Sequence, residues 1–290
     1  MQEFPIVGIV GLGLIGGSLG LDLTRLGYRV LGVSRHSATC SAACRLGMAH
    51  LASTDWRILT RAEIVFTCVP IDQTLPSIEH LAQLLPPGVV ITDVASVKEA
   101  LVAPATQYWP WFVGGHPMAG GAQQGIQAAV PRLFQGRPYV LTPIAQTKSH
   151  ALALVESVVQ RLEPHLLHCD PRAHDQAVAL ISHTPVYVSA ALVLAAGHTE
   201  PETRQLAQQL ASTGFADTSR VGGGNPQLGL QMARYNRVHL LTHLQQYQRH
   251  LDQLKAALLA EDWPQVEHLL ARAHDTRPGF VQARGIISPD

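Results

Sequence analysis

Six short apolar runs punctuate the first half of the chain: Ile6 to Val10, Arg29 to Val33, Glu63 to Val69, Gly88 to Val94, Trp111 to Gly115 and Pro138 to Thr142. They are rich in valine and isoleucine and nearly continuous in apolar character. Strands buried on both faces, as in a parallel sheet, have this pattern. Helical spacing fills the gaps between them, as from Leu75 to Leu85, where Pro86-Pro87-Gly88 supplies a stop. Alternating strand and helix predicts an α/β fold, a doubly wound Rossmann-type domain.

From about Asp170 the strand pattern ends and helical periodicity takes over. Pro171 to Gly197 reads as helix, with a kink or break forced by Pro185. Leu228 to about Glu261 has no proline or glycine after Gly229. In it Leu240, Leu244, Tyr247, Leu251, Leu254 and Leu258 alternate spacings of four and three. Such a stripe must be covered, either by another helix of the chain or by a second copy in a dimer. The expected division is a dinucleotide-binding domain over 1–169 and an all-α domain over 170–290. The tail after Asp275, with two prolines and two glycines, is expected to be loosely ordered. No internal repeat or low-complexity tract interrupts this pattern.

Composition narrows the class. The chain has 290 residues, a hydrophobic fraction of 47%, and 21 basic against 21 acidic residues. A zero formal charge argues against nucleic-acid or membrane-surface partners recruited by bulk charge. The fifteen histidines are scattered without zinc-type pairing, so no metal is expected. The four cysteines form no CxxC, which suits free thiols in a reducing compartment. The apolar start "FPIVGIVGLGLIGGSLGLDL" is broken by glycines and reads as strand, turn and helix rather than as a membrane span or signal. A cytoplasmic protein is expected.

The turn after the first strand is "VGLGLIGGSLG". Gly11, Gly13 and Gly16 fit G-x-G-x-x-G in the strand–turn–helix context that motif needs. A pyrophosphate would lie on the backbone of Gly11, Leu12, Gly13, Leu14, Ile15 and Gly16, at the positive end of the helix. The second strand ends in "GVSRHSAT". An acid there would bind ribose hydroxyls and repel a 2′-phosphate. Ser34 takes that place and Arg35 follows. Ser34, Arg35 and Thr39 could bond a phosphate, which favours NADP over NAD, unless Arg35 is only a solvated surface charge.

Ligands of doubly wound sheets sit outside the carboxyl ends of the strands. Cys68, Val69 and Pro70 are therefore expected along the cofactor. "TDVASVK" and "GGHPMAGG" follow strand runs, so Ser96 and His116 should project into the same crevice. An imidazole there can take a proton from a hydroxyl as hydride leaves the adjacent carbon. A serine beside it can fix its tautomer, although Ser96 also suits a helix cap. In the second half, "HDQAVALISHTP" carries His174, Asp175 and His183. His183 faces the cleft or merely ends a helix. Arg220, in "GFADTSRVGGGNP", either clamps a carboxylate or sits at the surface.

In this order, "VGLGLIGGSLG", "TDVASVK", "GGHPMAG", "DQAVALISHTP" and "GFADTSRVGGGNP" resemble the prephenate/arogenate dehydrogenases of tyrosine biosynthesis, and most nearly the cyanobacterial NADP-dependent arogenate enzymes. The resemblance extends to about Glu261. It implies oxidative decarboxylation of a cyclohexadienol, with hydride passing to NADP⁺. It implies that His116 and Ser96 are catalytic at the substrate hydroxyl, and that His183 and Arg220 bind substrate. It also implies a homodimer through the helical domain. The family often carries a basic residue where Ala216 stands, and Asp217 is a candidate partner for an ammonium. The alternatives are the same reaction on prephenate giving 4-hydroxyphenylpyruvate, a 3-hydroxyacid dehydrogenase or imine reductase, and an NADP-binding redox sensor without catalysis.

Overall fold

The computed structural model describes residues 4–121 and 123–281. The part of the expected loose tail beyond Val281 lies outside these residues. Packing divides the chain into two compact units, one through Leu240 and one from Leu241.

The first unit opens with β1 (Val7–Val10), α1 (Leu14–Arg25), β2 (Val30–Val33), α2 (Ser37–Arg45), β3 (Leu51–Ser53), β4 (Ile64–Thr67), α3 (Ile71–Leu84), β5 (Val90–Asp93), α4 (Glu99–Tyr108) and β6 (Phe112–Pro117). It continues with β7 (Pro138–Thr142), α5 (Ser149–Gln160) and β8 (His165–His168). One eight-stranded sheet results, ordered β3-β2-β1-β4-β5-β6-β7-β8. β2 and β4 both lie parallel to β1, on opposite sides of it, and this reversal of strand order opens the crevice at which such sheets bind ligands.

Both sheet faces are covered, as the apolar runs require. Val7 and Ile9 of β1, Phe66 of β4 and Val113 of β6 face one apolar cluster with α1 and α5. Val10, Val65, Ile91 and Phe112 face the other, with Ile78 of α3 and Val102 of α4. Alternate residues thus enter alternate cores, the period of two expected of a strand.

Three features differ from the sequence expectation. β7 is antiparallel to β6, while β8 is parallel to β7. The apolar run of β7 signals burial but carries no direction. β3 and β8 had no sequence signal because they are short and half or largely exposed. β6 runs on through His116 and Pro117, so His116 lies in the strand, paired with Val140, rather than after it. The glycines before His116 serve strand packing. A Cβ on Gly114 would lie 2.4 Å from Thr142 Oγ1, and one on Gly115 would lie 2.7 Å from the Asp93 carbonyl oxygen.

Helices complete the first unit: α6 (Pro171–Val178), α7 (Thr184–Gly197), α8 (Pro201–Leu210), α9 (Thr213–Ser219), α10 (Pro226–Tyr235) and the start of α11 (Arg237–Leu259). The break expected near Pro185 is a single π turn, Ala179–His183, joining α6 to α7. A proline at this point lacks the N–H that would continue the regular ladder. The segment Pro171–Gly197 is long and apolar enough to span a membrane by length and composition alone. Its His174, Asp175 and His183 are nevertheless buried in the protein.

The helix read as continuous from Leu228 is interrupted at Asn236, which leaves helical backbone geometry (φ −125°, ψ 31°). Its side chain is taken up by tertiary hydrogen bonds, described below, so the break has no strong local signature. Within "GFADTSRVGGGNP" the first part is α9, and Arg220 is its C-cap rather than a residue of a free loop. Of the glycines that follow, Gly222 presses on α7: a Cβ there would lie 2.3 Å from the Ala190 nitrogen.

The second unit holds the rest of α11, then α12 (Trp263–Thr276) and α13 (Pro278–Val281). Tyr247, Leu251 and Leu258 of the leucine stripe remain 43%, 50% and 52% exposed. Leu240 is buried and Leu244 and Leu254 are half-buried, so the described residues cover the stripe only in part.

Candidate active site

The glycine turn is built by close approach. Gly11 has φ +92°, and a Cβ there would meet the Cys68 carbonyl oxygen at 2.3 Å. A Cβ on Gly16 would sit 1.9 Å from the Gly11 carbonyl oxygen. Gly13, by contrast, faces open space and caps α1 with no side-chain bond. The free N–H groups of the first turn, around Leu14 and Ile15, therefore face a backbone cradle without a competing side chain. Leu12 contributes backbone only, since its side chain is buried in the core against Gly32. This cradle fits a dinucleotide pyrophosphate.

At the end of β2, Ser34 is half-buried, Arg35 is exposed, and Thr39 lies in the first turns of α2. No acidic residue stands between Ser34 and Arg45. Cys68, Val69 and Pro70 follow β4, and Pro70 is the N-cap of α3. Burial, reinforced by Asp93, pushes the Cys68 thiol far above its ordinary range, so it stays neutral.

His116 is 7% exposed on β6. Burial, then His174, Lys98 and His183, hold its imidazole well below the ordinary histidine value. It is consequently unprotonated at neutral pH and available as a base. Its Nδ1 lies 2.9 Å from Nε2 of His174. His174 Nδ1 lies 2.7 Å from Oδ1 of Asp175. That carboxylate accepts the backbone N–H groups of Lys98 (2.7 Å) and Glu99 (2.9 Å) at the start of α4.

Lys98 is fully buried. Its ammonium pairs with Asp93 and donates to the Gly115 carbonyl oxygen at 2.7 Å. Asp93 also accepts the N–H groups of Ala95 and Gly115, each at 3.0 Å. The backbone on both sides of the crevice is thereby pinned to one buried ion pair.

Asn236 donates to the Asp175 carbonyl oxygen (2.8 Å) and lies 3.2 Å from Nδ1 of His183. An amide NH₂ can only donate, so His183 Nδ1 accepts and its proton sits on Nε2. That Nε2 is buried without a partner, as is the Ser96 hydroxyl. Burial pushes His183 down to about 4, against a weaker upward pull from Asp175. It therefore offers a neutral N–H.

The structure thus gathers His116 and His183 around one network. Ser96, next in sequence to that network, makes no bond to His116. His174, not Ser96, contacts the imidazole. Arg220 is exposed at the end of α9, and no described hydrogen bond or ion pair joins it to His116. Sequence reasoning did not foresee the parts played by Asp93, Lys98 and Asn236. The only signals in the chain were an aspartate and a lysine in the short segment "TDVASVK" and an asparagine within a helical run. Among the described residues no His/Cys/Asp/Glu group could hold a metal ion.

Comparison with known proteins bears on this arrangement. Residues 19–168 match the family model described as prephenate dehydrogenase, nucleotide-binding domain, and residues 170–272 match prephenate dehydrogenase, dimerization domain. Prephenate dehydrogenase of Bacillus subtilis is 31% identical over 287 residues, covering 96% of this chain and 77% of the relative. The crystal structure of Synechocystis arogenate dehydrogenase is 48% identical, with a TM-score of 0.84, covering 95% of this chain and 99% of that one. Prephenate dehydrogenase from Aquifex aeolicus, solved with hydroxyphenyl propionate and NAD⁺, is 25% identical with a TM-score of 0.88, covering 94% and 97%. A backbone cradle fitted to a nicotinamide dinucleotide and a buried neutral imidazole thus occur in a chain matched across both halves, and the chain belongs to the prephenate/arogenate dehydrogenase family.

Proposed function

We propose that the protein oxidatively decarboxylates L-arogenate to L-tyrosine with NADP⁺. The observation that carries the reaction is His116, a buried neutral imidazole at the carboxyl end of β6 beside Asp93 at the end of β5. His116 takes the proton of the ring hydroxyl. A dinucleotide whose pyrophosphate rests on the glycine turn would supply the nicotinamide that accepts the hydride from the ring carbon bearing that hydroxyl. The bond to the ring carboxylate breaks, its electron pair enters the ring, and CO₂ leaves. The proton held by His116 can return to the new phenol oxygen, so the balance needs no further reagent.

Ser96 aligns the hydroxyl, and its unpartnered buried Oγ supports this role. His183 offers its free N–H to a substrate oxygen. Arg220 holds a carboxylate. The cofactor lies along Gly11 to Gly16 and Cys68 to Pro70. Ser34, Arg35 and Thr39 take a 2′-phosphate, a reading supported by the lack of an acid at the end of β2. Arogenate is favoured by the 48% identity to the Synechocystis enzyme. Prephenate is the second reading, because the Bacillus subtilis relative is a prephenate dehydrogenase.

In functional terms 1–169 binds the nucleotide and 170–290 completes the substrate pocket and a homodimer. Leu194 and Leu210 are 65% and 71% exposed, and Tyr247, Leu251 and Leu258 of α11 add to the apolar surface that a second copy would bury. The four pairings of arogenate or prephenate with NADP⁺ or NAD⁺, followed by reduced-nicotinamide absorbance, test the reading. Turnover with arogenate and NADP⁺ is expected. Turnover only with prephenate would overturn the substrate, and silence in all four would overturn the reaction. A cytoplasmic location is the reading supported by four cysteines that form no CxxC, which suits a reducing compartment.

A further inference from the structure

We propose that His174 and Asp175 are positioning residues that hold His116 in the tautomer whose Nε2 is free to take the substrate proton. The inference rests on the reading of His116 as the base and deepens it.

The argument is a count of donors and acceptors. Asp175 receives two backbone N–H groups, from Lys98 and Glu99, at the start of α4. Backbone amides cannot reverse their role, and the positive end of a helix favours an ionised carboxylate. An ionised Asp175 only accepts, so the proton in its 2.7 Å contact belongs to His174 Nδ1. A neutral His174 then has a bare Nε2. That nitrogen lies 2.9 Å from His116 Nδ1, so His116 must donate there. The single proton of a neutral His116 is therefore on Nδ1, and Nε2 carries the lone pair.

All members of the chain are shielded: His174 is 2% and Asp175 1% exposed. They lie in α6, whose start is fixed by Asp170 accepting from the Arg172 and Ala173 amides. Asn236 holds the Asp175 carbonyl. The rings of His116 and His174 meet edge-on at 72°, which suits a directed N–H to lone-pair contact. The charged and titratable groups around His116 are His174 and Asp175 from α6, His183 from the π turn, and Lys98 with Asp93 from the β5–α4 turn. Cys68 and Tyr139 also neighbour Asp93, and burial keeps both neutral. Lys98 is compensated by Asp93, so Asp175 is the carboxylate left to favour positive charge on His116 as it accepts the proton.

The test compares His174→Phe, His174→Gln and His116→Ala. Gln keeps an acceptor for the His116 N–H, whereas Phe removes it. The expected result for His174→Phe is a fall in kcat of roughly 10²-fold, within the range of acid–base contributions. KM and NADP⁺ affinity should hold within about threefold, since the substrate and cofactor contacts remain. The acid limb of kcat/KM should shift, because the group that meets His116 Nδ1 is gone. His174→Gln should recover part of the loss. The nitrogen resonances of ¹⁵N-histidine-labelled protein without substrate should show the His116 proton on Nδ1 in the native chain and not solely there in His174→Phe.

An unmoved acid limb with an unmoved His116 tautomer would overturn the proposal. So would equal losses in His174→Phe and His174→Gln accompanied by lost NADP⁺ binding, which would mark His174 as purely structural. If His116→Ala retains full turnover, the reading of His116 as base is what fails. If His116→Ala is inactive while His174→Phe matches the native enzyme, only the positioning role fails.

Discussion

Acid should destabilise this protein through His183, and the amount can be worked out. The His183 side chain is 0% exposed, and its folded value is pushed down to about 4 from an ordinary 6.5. A histidine with a depressed folded value binds its proton more readily when unfolded. Stability is therefore full above the unfolded value and falls as the pH drops below about 6.5. Each pH unit costs about 1.4 kcal/mol, and the loss levels off below about 4, near 3 kcal/mol in all. At about pH 5 the penalty should be ~2 kcal/mol. The perturbation is His183→Asn, which keeps an acceptor for Asn236 and removes the titration. Urea unfolding of both proteins at about pH 7.5 and about pH 5, at one protein concentration, isolates the effect, since other titrating groups are common to both. The native protein should lose ~2 kcal/mol more than the variant on acidification. A difference below roughly 0.5 kcal/mol would refute the reasoning, because His183 would then bind its proton equally well folded and unfolded.

Three further outcomes follow from the same geometry. Lys98→Met leaves the Asp93 carboxylate buried without its ammonium, and should cost about 3–5 kcal/mol in urea unfolding; a cost under about 1 kcal/mol would mean the pair contributes little. Gly16→Ala drives a methyl into the Gly11 carbonyl oxygen, so calorimetric titration should show NADP⁺ affinity reduced at least about tenfold, and unchanged affinity would contradict the cradle. Ser34→Asp with Arg35→Ala should move the kcat/KM preference from NADP⁺ towards NAD⁺, and an unmoved ratio would show that the 2′-phosphate is read elsewhere.

Much of this molecule was legible along the chain because the responsible physics is local. Burial on both sheet faces forces the valine and isoleucine runs of β1, β2, β4 and β5, and these could be read directly. The glycine turn is readable because Gly11 must adopt a positive φ and Gly16 must admit a carbonyl, constraints that act within six residues. Pro185 announced the break between α6 and α7 for the same reason.

What the chain could not show alone depends on partners distant in sequence. The direction of β7, the exposed edges β3 and β8 and the passage of β6 through His116 are set by pairing, which an apolar run does not encode. Asn236 breaks a helical run because its amide serves Asp175 and His183, 61 and 53 residues away. Sequence placed a serine beside the imidazole, but folding put His174 there, 58 residues from His116. The residue types available for the chemistry were therefore set by sequence. Which histidine holds which proton was decided only when β6, α4 and α6 packed together and left each buried donor and acceptor one permitted partner.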